Sequence, residues 1–202
     1  MKLVIMTKST FFVEEDKILT TLFEEGLENL HISKTDNSPL YLERLLKLIP
    51  SQYHKYITVH QHFYLKNEFS LAGIHLSSVD ADIPSGYRGK ISRDCSDSLR
   101  LKEARKKSNY VFLKNINDCI EYPEEKRNIS DFELRELKRQ GLINKNVYAM
   151  GGITLEDVSR IKELGFGGAV FCGDFWNHFD IHQDNDFKAI IAYFNKLRRA
   201  VE

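Results

Sequence analysis

Short apolar runs alternate with amphipathic stretches along the whole chain. Leu3-Val4-Ile5-Met6 predicts a first buried strand. Over 14–25 the apolar residues Ile18, Leu19, Leu22 and Phe23 recur at helical spacing, and Gly26 follows as a stop. A second strand is expected over 29–33. Ser38 as N-cap and Pro39 at the first helical position then open a helix with Leu42, Leu45, Leu46 and Ile49 on one face, which Pro50 ends. Further strands are expected over 56–60, 71–76, 90–92 (weakly) and 110–113. Between them fall a short helix over 63–69 and a helix over 96–107 with Leu99, Leu101 and Ala104 apolar. A helix capped by Ser130 or Asp131 runs to Gln140, and Gly141 stops it.

The most informative stretch comes next. Val147 to Met150 is an apolar run fit for a strand buried on both faces. Gly151-Gly152 allows a sharp turn, Thr154 suits an N-cap, and Glu156 and Asp157 place negative charge in the first helical turn. After a helix over 155–164, Gly167-Gly168-Ala169-Val170-Phe171-Cys172-Gly173 forms another glycine-bounded strand. A closing helix over 187–200 carries Ile190, Ile191, Phe194 and Leu197 inward. Strands that alternate with helices imply a parallel sheet, and eight such units imply closure. The expected fold is a compact single-domain (β/α)8 TIM barrel over residues 1–202, at the small end for that architecture.

Composition narrows the function classes. Lys and Arg number 29 against 29 Asp and Glu, so no global field points to nucleic acid or a membrane surface. The three cysteines, Cys95, Cys119 and Cys172, are isolated, which argues for a reducing compartment over a disulfide framework or structural zinc. The apolar run at the N-terminus is too short for a signal peptide, and no run approaches the ~20 residues of a membrane helix. These features read as a soluble, cytoplasmic protein that acts on small molecules, with homo-oligomerisation left open.

In such a barrel, chemistry sits at the C-terminal ends of the strands. That rule selects Thr7, Lys8, His31, Ser33, Lys34, His60, Gln61, His62, His75, Asp80, Ser92, Arg93, Asp94, Lys114 and Asn115. Lys8, Lys34, Arg93 and Lys114 are candidates for phosphate oxygens. A bare diglycine turn before a helix offers unpaired N–H groups to an anion, although a plain strand-to-helix turn needs the same residues. His60-Gln61-His62 places two imidazoles at i, i+2, on one face of a strand, a spacing that can bind zinc or a transition metal. His75 sits inside an apolar strand and reads as a hydrogen-bonded structural histidine, whereas His54, His178 and His182 read as surface loop residues. A polar, irregular stretch over 114–128 is long enough to be a functional loop.

These motifs resemble one family. Gly73-Ile74-His75-Leu76-Ser77-Ser78-Val79-Asp80 resembles the G-V-H-L-G-x-x-D motif of thiamine phosphate synthases and the related thiazole tautomerases. Val147 to Thr154 resembles their V-x-A-x-G-G-I-x, Gly168 to Cys172 their G-V-A-V-x-S, and Asn109-Tyr110-Val111 their D-Y-V. The resemblance implies a transferase of thiamine biosynthesis that joins hydroxymethylpyrimidine diphosphate to thiazole phosphate and releases pyrophosphate with Mg2+. It implies thiazole phosphate on the backbones of Gly151, Gly152, Phe171 and Cys172, the diphosphate near His60, Ser92 and Lys114, Mg2+ on Asp80, and His31 and Lys34 as catalytic groups. It also admits a tautomerase-like isomerase, with His31 as its acid–base group, and a non-catalytic thiazole phosphate binder.

Three departures stand against the family pattern. Where synthases carry Q-x-R-x-K, this chain has His31-Ile32-Ser33-Lys34-Thr35. Where they carry N-D, it has His60-Gln61, and Lys114-Asn115-Ile116-Asn117-Asp118 replaces G-P-x-F-x-T-x-K.

Overall fold

The computed structural model describes residues 1–36, 38–180, 182 and 186–202. Eight strands appear in chain order: β1 (Lys2–Met6), β2 (Leu30–Ile32), β3 (Ile57–Val59), β4 (Gly73–Leu76), β5 (Lys90–Cys95), β6 (Tyr110–Leu113), β7 (Val147–Ala149) and β8 (Gly168–Phe171). Each pairs in parallel with its sequence neighbour, and β8 returns to β1, so the sheet closes into a barrel. The helices are α1 (Glu15–Glu24), α2 (Pro39–Leu48), α3 (Leu65–Glu68), α4 (Leu101–Lys106), α5 (Asp131–Arg139), α6 (Val158–Leu164), α7 (Gly173–Trp176) and α8 (Lys188–Val201). The chain is thus a (β/α)8 TIM barrel. No described helix is long and apolar enough to cross a membrane.

Side chains alternate along each strand, and the two faces have separate jobs. One set, including Ile5, Leu30, Ile32, Ile74, Val111, Ala149 and Phe171, joins the helices in the main hydrophobic core. The opposite set builds a smaller apolar cluster of Val4, Phe112 and Val170, edged by Met6, Tyr110, Tyr148 and Met150. The polar residues His31, Thr58, His75 and Ser92 are buried at the same strand parity. The barrel interior is therefore apolar on the β6–β8–β1 side and polar on the β2–β5 side.

Several local expectations are corrected. β5 runs through Cys95, well beyond 90–92, because hydrogen bonding to both β4 and β6 outweighs its polar composition. The helix expected over 96–107 begins as a 3-10 turn, Ser98–Arg100, where the Asp97 carboxylate accepts from the Leu99 N–H. That turn leaves Leu99 89% exposed, whereas Leu101 and Ala104 pack inward as expected. His54 is buried, not a surface loop residue, and its ring nitrogens meet the carbonyls of Phe69, Leu46 and Ile49. Ile191 is only partly buried, and α7 was not foreseen. Thr154 and Asp157 form a reciprocal capping box ahead of α6.

Candidate functional site

A cavity opens at the C-terminal end of the barrel. Its walls come from Met6, Ser33, His60, Asp94, Lys114, Met150, Gly151, Gly152, Ile153, Val170, Cys172, Gly173 and Asp174. The remaining wall is the loop after β6, through Cys119, Ile120, Glu121, Tyr122 and Glu125. That loop is fastened on three sides. The Glu121 carboxylate accepts from Ser9 Oγ at 2.9 Å and from the Cys172 thiol at 3.1 Å. Asn117 donates to Gly152 O at 3.3 Å and to Asp157 at 3.1 Å, and Asn128 donates to Ser96 O at 2.8 Å. The stretch over 114–128 is thus a roof tied to the segments that follow β1, β5, β7 and β8.

The diglycine turn lies under this roof. Gly151 and Gly152 take φ values of 106° and 55°. A Cβ on Gly152 would fall 1.9 Å from Asp118 O, and one on Gly151 would fall 2.8 Å from Asn115 N. The two glycines are therefore required by the close approach of the β6 loop as well as by the turn. Among the described residues, the N–H groups of Gly151, Gly152 and Ile153 meet no protein acceptor. Consecutive free N–H groups on a cavity wall suit an anion.

Of the residues selected from sequence, Ser33, His60, Asp94, Lys114, Gly151, Gly152 and Cys172 line this cavity. The others do not. Phe171 is paired with Ile5 in the β1–β8 ladder and turns its ring into the outer core. Ser92 is buried, with its hydroxyl 2.8 Å from His75 Nδ1. Lys34 is buried with Glu15 at 2.5 Å, donates to Thr10 O at 3.1 Å and lies 4.6 Å from the Phe11 ring centre. Burial lowers its pKa and pushes the Glu15 carboxyl up to about 7, with the mutual attraction opposing both shifts. Asp80 is exposed and bidentate on Arg100 at 2.5 and 2.6 Å, and that guanidinium holds its carboxyl below the usual range.

Arg93 is a further correction, because strand alternation points it away from the barrel interior. Its guanidinium donates to the carbonyls of Ser78, Val79 and Ala81 and so shapes the β4 loop. Gln61 bridges the main chain of Lys34, donating to its carbonyl at 2.9 Å. His62 does not share a face with His60. β3 ends at Val59, and His62 turns off at φ 52° beside the Tyr64 ring.

His31 is fully enclosed in the barrel and does not reach the cavity. Its Nδ1 lies 3.0 Å from His60 Nε2, and its Nε2 lies 2.8 Å from the Tyr110 hydroxyl. His75 lies beside them, with Nε2 3.0 Å from Asp94, whose other oxygen is 3.6 Å from Lys114 Nζ. Burial, and then the neighbouring His75, depress the pKa of both His31 and His60 well below the ordinary imidazole value. The three imidazoles offer nitrogens within 4.8 Å of one another. The His60 and His75 rings stack at 4.1 Å and 19°, so their in-plane lone pairs run side by side, and every His31 and His75 nitrogen already has a protein partner. We read the group as a hydrogen-bonded network. The sequence rule that finds strand ends named each histidine but could not show that three strands bring them together, and it missed Glu121 and Cys119 on the roof.

No protein-family model matches this sequence, and no curated protein matches it. Among solved structures, thiamine phosphate pyrophosphorylase from Bacteroides thetaiotaomicron superimposes with a TM-score of 0.89 and 44% identity, covering 99% of this chain and 97% of that one. The protein of the same name from Pyrococcus furiosus gives 0.75 at 17% identity, covering 99% and 95%. The tryptophan synthase alpha subunit from Legionella pneumophila gives 0.67 at 13%, covering 99% and 92%, and shares the fold. With 44% identity across nearly the full length of both chains, this protein belongs to the thiamine phosphate pyrophosphorylase family.

Proposed function

We propose that this protein works in thiamine biosynthesis, in the cytoplasm, on a thiazole phosphate. The reading takes it as a transferase of the thiamine phosphate synthase type. One observation carries it: three successive N–H groups, at Gly151, Gly152 and Ile153, without a partner among the described residues, on the wall of a roofed cavity. Backbone donors of this kind hold phosphate oxygens without cost in side-chain freedom. The thiazole ring would then extend past Cys172 and Val170 toward His60. Lys114 is the cavity-lining cation that would meet a diphosphate on the second substrate.

The residues that the resemblance gives to Mg2+ do not fit it. Asp80 is neutralised by Arg100, and the Gln61 carboxamide is spent on Lys34.

A second reading is favoured by His60. It brings an imidazole to the cavity wall, and an imidazole there suits an isomerase that moves a proton on bound thiazole phosphate. Calorimetry with thiazole phosphate, followed by addition of hydroxymethylpyrimidine diphosphate and Mg2+, separates the readings. Binding followed by release of pyrophosphate supports the synthase. Binding without coupling moves the assignment to the isomerase, and absence of binding rejects both.

A further inference from the structure

His60 is placed differently from the other two interior histidines. Its Nε2 is turned inward to His31 Nδ1 at 3.0 Å, and His31 Nε2 continues to the Tyr110 hydroxyl at 2.8 Å. His60 lines the cavity, and its Nδ1 has no protein partner among the described residues. It is also absent from the unpartnered polar atoms sealed away from solvent. One nitrogen is therefore anchored and the other is offered to a ligand.

We propose that His60 is the acid–base residue of this cavity, and that His31 and Tyr110 are positioning residues that keep its proton on Nε2. This inference deepens the isomerase reading and rests on it. The hydrogen-bond chain has one arrangement that leaves a base. His60 Nε2–H donates to His31 Nδ1, His31 Nε2–H donates to the Tyr110 oxygen, and His60 Nδ1 keeps a free lone pair. The reverse arrangement puts a hydrogen on His60 Nδ1 and removes the base. In the proposed arrangement the Tyr110 oxygen accepts from His31. Its own O–H is then free to turn toward the hydroxyls of Ser92 and Thr58, which lie beside it.

Burial supports the same state. It lowers the pKa of His31 and His60, which keeps both rings neutral near pH 7. The charged or titratable groups facing His60 are His31, His75, Asp94 and Lys114, from β2, β4, β5 and the start of the β6 loop. In the reaction, His60 Nδ1 takes a proton from one ring atom of a non-aromatic thiazole phosphate as that bond's electron pair moves into the ring. That shift pushes the electrons of an exocyclic C=C double bond onto its outer carbon, to which His60 returns the proton, leaving the ring aromatic. One N–H bond forms and breaks, and no electron or proton is gained overall.

Two measurements test this. In ligand-free protein, 15N NMR of the histidine rings at pH 7 is expected to show neutral His60 with its proton on Nε2. A proton on Nδ1 in native protein overturns the proposal, whatever the ligand. Tyr110→Phe removes the acceptor, and the His60 proton is expected to move to Nδ1.

The second measurement follows the non-aromatic tautomer of thiazole phosphate by the absorbance of the aromatic product. His60→Gln retains a group that bonds His31 but cannot take the proton. It is expected to bind thiazole phosphate as native protein does while kcat falls about 100-fold or more. Tyr110→Phe is expected to lower kcat about 10-fold with KM unchanged, since only the tautomer is altered. Native turnover by His60→Gln, or native protein that binds thiazole phosphate but leaves the tautomer unchanged, overturns the proposal. If native protein fails to bind thiazole phosphate, the functional reading falls, and the tautomer measurement still decides the relay.

Discussion

The carbonyl oxygen of Asp118 lies 1.9 Å from the point where a Cβ on Gly152 would stand. The diglycine turn and the β6 loop are thus one unit, in which neither keeps its conformation without the other. Gly152→Ala is expected to lift the loop from the turn. The φ of 55° is tolerable for alanine at about 1 kcal/mol, but the collision with main chain is not. Thiazole phosphate affinity should drop at least about tenfold, and trypsin should cut faster at Lys126 and Arg127. Native affinity and native proteolysis in this variant would show that the loop does not depend on the turn.

Lys34 and Glu15 form a buried pair at 2.5 Å, with side chains 1% and 2% exposed. Lys34→Met leaves the carboxyl alone in the core and should cost about 3–5 kcal/mol in urea denaturation. Glu15→Leu with Lys34→Met should recover most of that loss. The sign with pH follows from burial, which raises the native Glu15 pKa to about 7. A raised carboxyl pKa withdraws stability as pH climbs through it, so the Lys34→Met deficit should be larger at pH 8 than at pH 6. A loss that is small and constant over that range would contradict the assignment.

His31 gives the opposite sign. Its native pKa lies well below the ordinary imidazole value because it is buried, and then because His75 is near. Below about pH 6.5 the unfolded chain binds a proton that the folded chain refuses, so stability falls as pH falls. Each such histidine contributes about 1.4 kcal/mol per pH unit in that window. His31→Gln should therefore show a stability–pH slope shallower than native by about that amount between pH 6 and 5. Parallel slopes, measured by urea midpoints, would mean that His31 is not held neutral.

Asp80 is bidentate on Arg100 on an exposed surface. Asp80→Ala is expected to bind thiazole phosphate with native affinity, and to respond to Mg2+ no differently from native protein, by calorimetry. A Mg2+ effect that disappears in this variant would restore the metal assignment.

The barrel itself was legible in the chain. Apolar runs at Leu3–Met6, Tyr110–Leu113 and Val147–Met150, separated by amphipathic stretches, admit few arrangements other than a parallel sheet covered by helices, because both sheet faces must be buried. The diglycine turn was legible too, since few other residues allow φ of 106° followed by 55°. The side chains around the site were decided by tertiary structure. Arg93 and Ser92 are neighbours in sequence, yet strand alternation sends one to the β4 loop carbonyls and the other to the barrel interior. Asp80 and Lys34 sit in motifs that resemble ligand-binding ones, but Arg100 and Glu15 reach them from elsewhere in the chain. His60 and Tyr110 lie 29 and 79 positions from His31, and only closure of the barrel brings their polar atoms to hydrogen-bond distance. Local pattern encodes which segments are strands and where they turn. Which polar groups face one another depends on register and closure across several strands, and no single stretch of sequence contains that information.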